Sequence, residues 1–103
     1  MTVLVVGAGP SGLSAIRELV AAGREVLGVE RHADVGGIWD IDNPGTPMYE
    51  SAHLISSRTQ SALDGFPMPE DYPDYPSHRQ LHASLRNYAD RFRCRVAESD
   101  VRD

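Results

Sequence analysis

Thr2 to Val6 form a short unbroken apolar run, a pattern that predicts a strand buried on both faces, and the run stops at Gly7. Leu13, Ile16, Leu19 and Val20 then recur at helical spacing, with Ala15, Ala21 and Ala22 filling in, and Gly23 is placed to close that helix as a C′ residue. Glu25 to Glu30 carries Val26, Leu27 and Val29 and predicts a second short strand. Strand, helix and strand within about 30 residues place the chain in the α/β class. The unit is a Rossmann-like β-α-β motif, half of a doubly wound parallel sheet.

Beyond this unit the pattern changes. Residues 32–76 are rich in Gly, Pro, Asp and Ser, and Pro44, Pro47, Pro67, Pro69, Pro73 and Pro76 exclude a long helix or a central strand. Trp39, Tyr49, Leu54, Ile55, Phe66, Tyr72 and Tyr75 supply apolar anchors, so the segment is expected to wrap the domain in an ordered way. Ser77 with Gln80 three residues on is a capping box that opens a second helix over 77–93. Leu81, Leu85, Tyr88, Ala89 and Phe92 line its inner face, while Arg79, Arg86, Asp90 and Arg91 face out. Residues 94–103 show no periodicity and are expected to form a ragged tail to a single, partial domain spanning 1–103.

Composition narrows the function classes. With 41% apolar and 24% charged residues the chain can build a core and is not a disordered polymer. The net charge of −5 argues against nucleic acid, whose phosphates demand a basic face. No apolar run is long enough to cross a membrane, and the opening Met-Thr-Val-Leu-Val-Val lacks the basic start of a signal peptide. Cys94 is the single thiol, which excludes an internal disulfide and a cysteine metal site and makes a reducing, cytoplasmic setting the default. His78 and His82 have the i, i+4 spacing of a metal pair, but no third ligand accompanies them, so all four histidines are read as surface groups and no metal is expected. Glu70, Asp71 and Asp74 lie among prolines and read as a solvated loop.

The chemistry resides in Gly7-Ala8-Gly9-Pro10-Ser11-Gly12, a Gly-x-Gly-x-x-Gly set where a strand turns into a helix. Gly7 permits the tight turn, Gly9 lets a pyrophosphate approach the backbone, and Gly12 allows close packing. Pro10 suits the first helical turn, where its missing N–H costs nothing. The free N–H groups and the positive end of the helix dipole then favour phosphate. Glu30 ends the second strand, 18 residues after Gly12, where a carboxylate accepts hydrogen bonds from ribose hydroxyls and opposes the 2′-phosphate of NADP. The pattern leaves NAD and FAD open, and with them a dehydrogenase module and a non-catalytic dinucleotide-binding remnant.

Between NAD and FAD, Gly36-Gly37-Ile38-Trp39 points to FAD by resemblance, with the other two readings kept as alternatives. Together with GAGPSGL (7–13), VERHADVGGIW (29–39), FPMPEDYPDYPSHRQL (66–81) and LRNYADRF (85–92), it resembles the flavin-containing monooxygenases and their Baeyer–Villiger relatives. The resemblance implies an N-terminal FAD-binding region in which Gly7, Ala8, Gly9, Pro10, Ser11 and Gly12 hold the pyrophosphate and Glu30 and Arg31 the adenosine side. Gly37, Ile38 and Trp39 would lie toward the flavin. In such enzymes NADPH reduces the flavin, which takes up O2 and, as a C4a-hydroperoxide, oxygenates a soft nitrogen, sulfur or ketone of a small molecule. An Asn-Ser-Ser-Lys-like stretch of that family is Ile55-Ser56-Ser57-Arg58 here. The family's second glycine motif, which binds NADPH, is not among these residues, and none of them is assigned a catalytic role. The uncovered edges and helix faces of so small an α/β unit are expected to promote self-association.

Overall fold

The computed structural model describes residues 2–32, 34–44, 46–63, 65–92 and 94–98. Strand β1 (Thr2–Val6) leads into helix α1 (Pro10–Ala21) and strand β2 (Glu25–Glu30), and the two strands pair in parallel with Thr2 opposite Glu25 and Val6 opposite Val29. Helix α1 ends as its sequence dictates. Gly23 adopts φ +80°, its N–H bonds to Val20 O, and the N–H of Arg24 returns to Leu19 O, so the last carbonyls are satisfied in a Schellman motif.

The sheet has three parallel strands in the order β1-β2-β3, the third being Val96–Glu98, whose Val96 lies opposite Gly28. Val96 to Glu98 fall in the segment read from the sequence as irregular. A three-residue strand carries too few positions to show a period, and β3 exists because β2 offers a free edge to which Gly28 N–H bonds Arg95 O at 2.8 Å. Residues 99–103 of that expected tail lie outside the described residues.

Helix α1 covers one face of the sheet, with Leu13 and Ile16 fully buried, and helix α3 (His78–Arg91) packs against it on the same side. The core formed there joins Ala8, Leu13, Leu54, Met68, Leu81, Leu85, Tyr88 and Ala89. Phe66, Tyr88 and Phe92 add an aromatic cluster with ring centroids 4.9–5.8 Å apart. The opposite face of the sheet is open. Leu4 is 53% and Val6 64% exposed, so β1 is not buried on both sides; its side chains alternate between a covered and an uncovered face. The apolar run is the sequence of a two-sided strand, but one layer of helices covers only one side.

Between β2 and α3 the chain wraps the helical layer, and among the described residues its helical elements are a 3-10 turn at Gly37–Trp39 and the one-turn helix α2 (Arg58–Ser61). Leu54 N donates to Pro76 O and His78 N to Ala52 O, which ties the wrap to the start of α3. Trp39, Leu54, Phe66 and Tyr72 anchor it, joined by Met68. Tyr49, Ile55 and Tyr75 do not: all three project into solvent, Ile55 with 93% of its surface exposed. The Ser77 capping box forms as read, Ser77 Oγ accepting from Gln80 N and Gln80 Oε1 from Ser77 N.

Candidate functional site

The turn from β1 into α1 is built around a steric exclusion. A Cβ at Gly12 would stand 2.0 Å from Gly7 O, so only glycine lets the first helical turn close over that carbonyl. Gly7 N–H extends the ladder to Val29 O at 2.8 Å, and Gly9 caps α1 by accepting at its carbonyl from Leu13 N, 3.0 Å away. The N–H groups of Ser11 and Gly12 precede that first intrahelical bond. They therefore have no acceptor within the helix and carry its positive end.

Glu30 lies directly beside this turn. Its carboxylate is buried (8% exposed), and Oε1 accepts from Ala8 N at 2.8 Å while Oε2 accepts from His32 N at 3.1 Å. Two backbone donors thus hold a charged group that would otherwise be costly to bury. A carboxylate has about four lone-pair sites, which leaves acceptors for a diol approaching from the cleft.

The loop after β2 folds back onto the same place. Gly36 N donates to Ala8 O at 2.8 Å, and Gly37 lies against Gly9 so closely that a Cβ on Gly37 would be 3.2 Å from Gly9 Cα. Asn43 Nδ2 bonds Gly37 O at 2.9 Å and Thr46 Oγ1 bonds Ile38 O at 2.5 Å, which fix the outer side of the loop.

These three pieces enclose a cleft of about 430 Å³, within the range of small-molecule and cofactor sites. Gly7, Ala8, Gly9, Glu30, Arg31, Gly37 and Ile38 line it, all of them residues the sequence singled out. Pro10 and Trp39 do not. They border a separate, apolar cavity of about 170 Å³ with Leu54, Phe66 and Leu85, and Trp39 is half-buried against the core. Ser11, exposed on the first turn of α1, and Gly12, half-buried, do not line the cleft either. Val6, Val29, His32, Asn43, Pro44 and Thr46 complete the lining and were not foreseen. Asn43-Pro44 is a turn-forming pair within a proline-rich stretch, and only the closing of the loop brings it to the cleft. Arg31, His32, Asn43 and Pro44 also border a polar recess of about 420 Å³ next to it.

The turn presents bare backbone to the cleft. A side chain at Gly7 would project into open space, so backbone is bare where a phosphate must approach, and the helix start and the buried carboxylate sit at either end of the turn.

Two histidines are not surface groups. His78 and His82 are buried on α3, His78 donating from Nε2 to Glu50 O at 3.1 Å and His82 from Nε2 to Val35 O at 2.8 Å. A carbonyl partner from the wrap makes each burial tolerable, and neither partner is near in sequence. Both positions share the i, i+3, i+4 stripe of Leu81 and Leu85, which is the signal that could have found them. His82, Asp34 and Asp40 offer ligand-type atoms within 4.8 Å of one another. Each residue already has one such atom engaged: Asp34 Oδ2 by Arg86 Nε at 2.6 Å, Asp40 Oδ1 by Asp42 N at 3.0 Å, and His82 Nε2 by Val35. Cys94 is half-buried, and burial pushes its thiol above the usual range, which disfavours the thiolate. Among the described residues no helix is long and apolar enough to cross a membrane.

Comparison with known proteins agrees with this geometry. Residues 1–95 match the family model described as flavin-binding monooxygenase-like. Flavin-containing monooxygenase 1 of Oryctolagus cuniculus is 38% identical over 94 residues, and that of Homo sapiens 36%; the alignments cover 87% of this chain and 18% of each relative. The chain therefore spans less than a fifth of the length of those relatives. Among solved structures, the flavin-containing monooxygenase of Stenotrophomonas maltophilia superposes with a TM-score of 0.81 at 31% identity, over 93% of this chain and 27% of that one. An oxidized steroid monooxygenase bound to NADP superposes with a TM-score of 0.80 at 25% identity, over 94% of this chain and 19% of that one. By its sequence and by its fold, the chain belongs to the flavin-binding monooxygenase-like family.

Proposed function

We propose that this chain is the FAD-binding part of an NADPH-dependent flavin monooxygenase and that its cleft holds the adenosine-diphosphate half of the cofactor. The observation that carries this is the convergence of the glycine turn, the Gly37-Ile38 loop and the buried Glu30 on one cleft. The N–H groups at the start of α1 would meet the pyrophosphate, and the free lone pairs of Glu30 the ribose diol. Arg31 stands exposed at the rim, on the adenosine side. The negative charge of Glu30 favours FAD over NADP in this cleft, since a 2′-phosphate would be repelled there. Trp39 lines, with Pro10, the apolar cavity beside the cleft and would shape the path toward the flavin from there.

Bound FAD supplies the redox and oxygen chemistry; these residues bind it, orient it and keep it in place. NADPH, O2 and a small-molecule substrate with a soft nitrogen, sulfur or ketone belong to this reading for the larger enzyme.

The test is retention of flavin by the purified chain. After incubation with FAD and gel filtration, the expected result is co-eluting flavin absorbance with altered fluorescence, competed weakly by NADH and less by NADPH. Folded protein that elutes without flavin would overturn the reading.

A further inference from the structure

Helix α3 does not line the cleft, yet one of its side chains is wedged against the loop that does. His82 is 7% exposed, and its ring lies against Gly36, whose φ is +119°. A Cβ at Gly36 would stand 2.6 Å from His82 Cδ2 and 3.0 Å from Nε2. Nε2 donates to Val35 O at 2.8 Å. The carboxylates at the two ends of the loop flank the ring, Asp34 Oδ2 at 3.3 Å from Nε2 and Asp40 Oδ1 at 3.9 Å from Nδ1. On its other side the same loop meets the glycine turn, through Gly36 N to Ala8 O and through Gly37 against Gly9. The loop is therefore held between an imidazole and the phosphate-facing turn.

We infer that His82 is a positioning residue for the cofactor cleft: it touches no part of the cleft itself but sets where Gly37 and Ile38 stand by clamping Val35 and Gly36 against Ala8 and Gly9. The inference rests on the FAD reading for its consequence, although the clamp can be measured without flavin. Three properties of histidine are used together. The flat ring fits beside a residue without Cβ. The N–H satisfies Val35 O, which would otherwise lose its partner. Its two nitrogens also face the neighbouring carboxylates, Asp34 near Nε2 and Asp40 near Nδ1, where an apolar side chain would offer them nothing.

The experiment uses the full chain and three variants. His82→Leu fills the space and donates nothing, His82→Gln carries an amide N–H out to about the place of Nε2, and His82→Asn ends one bond short. Backbone amide exchange of Gly36 and Trp39 is read against that of Tyr88 and Ala89 inside α3, and FAD affinity is titrated alongside. The expected result is about tenfold or greater loss of protection at Gly36 in His82→Leu and His82→Asn, with α3 amides unchanged and FAD binding weakened about tenfold, and with His82→Gln close to the parent in both. Wild-type protection and affinity in the Leu and Asn variants would overturn the inference, as would a uniform loss across α3 and the sheet, which would mark His82 as core packing only. Should the parent chain bind no flavin, the FAD reading falls, while the Gly36 exchange still decides whether His82 holds the loop.

Discussion

Two glycine-bearing segments line the cleft, and they are held in different ways. The first, residues 7–12, is fixed by its neighbours in the chain: β1 runs into it, α1 leaves it, and Glu30 at the end of the paired strand β2 secures Ala8. The second, Gly36 to Trp39, has one short 3-10 turn of its own and takes its position from contacts made at a distance, Ala8 on one side and His82 on the other. The first segment belongs to a β-α-β unit whose pairing is set within 30 residues; the second is positioned by contacts with Ala8 and with His82 of α3. A cofactor held between them would be gripped by one jaw set by local structure and one set by tertiary packing.

The largest effect is expected in the first jaw. Gly12→Ala places a methyl 2.0 Å from Gly7 O, which nothing but movement of the turn can relieve. A loss of about 3–5 kcal/mol in a urea unfolding series and no measurable FAD retention are expected. An unchanged melt would break the argument that this turn is sterically exclusive. Next comes Glu30→Gln, which keeps the size and removes the charge. The Ala8 and His32 donors lose a carboxylate, so stability should fall by about 1–3 kcal/mol, and FAD should bind about tenfold or more weakly. In competition titrations NADPH should gain relative to NADH, because the group that repels its 2′-phosphate is gone.

The second jaw should respond less, and its response should depend on a distant residue. Gly36→Ala combines a φ of +119° with contact against the His82 ring, for about 1–3 kcal/mol of destabilisation. With His82→Ala in the background the clash disappears and the penalty should shrink by about 1 kcal/mol, a coupling that a double-mutant cycle by chemical denaturation would resolve. Additive effects would mean that ring and loop are independent.

The smallest effect tests a surface tie between wrap and α3. Arg79 bonds both oxygens of Glu50 at 2.9 and 3.0 Å, but the pair is largely exposed. The Arg79 guanidinium holds the Glu50 carboxyl below its ordinary value, and the Glu50 carboxylate in turn raises that of Arg79. A depressed folded-state value means that any contribution is present above the ordinary carboxylate range and fades as pH falls through it. Thermal melts of Arg79→Gln and the parent should be nearly superimposable at neutral pH and converge fully in acid. A large shift would show that this surface pair, rather than His82, fastens the wrap to α3.

The contrast between the jaws also marks what could be read from the sequence. The strand, turn and helix were legible because their determinants are local: an apolar run, three spaced glycines, and Gly23 where the helix stops. Glu30 was legible too, since a parallel β-α-β unit returns the end of β2 beside the turn and fixes a 22-residue offset between Ala8 and Glu30. The buried histidines were not. A polar side chain on an apolar stripe reads as exposed until a partner is known, and the partner of His82 is Val35, 47 positions away. The apolar anchors were misjudged in part for the same reason: Leu54 and Ile55 are adjacent and equally apolar, yet the first is buried and the second bare, because a chain without periodic structure gives no rule for which side turns inward. The covering of the sheet was decided by layers, not by composition, and left Leu4 and Val6 on an open face.

The sequence by itself determined the β-α-β unit, the glycine turn and its carboxylate, and the start and inner stripe of α3, because bond geometry, side-chain period and hydrogen-bond caps act within a few residues. Tertiary structure alone decided β3, the lining supplied by Asn43 and Thr46, the burial of His78 and His82, and the position of the Gly36–Trp39 loop, because each depends on a backbone group or a free edge that a remote segment provides.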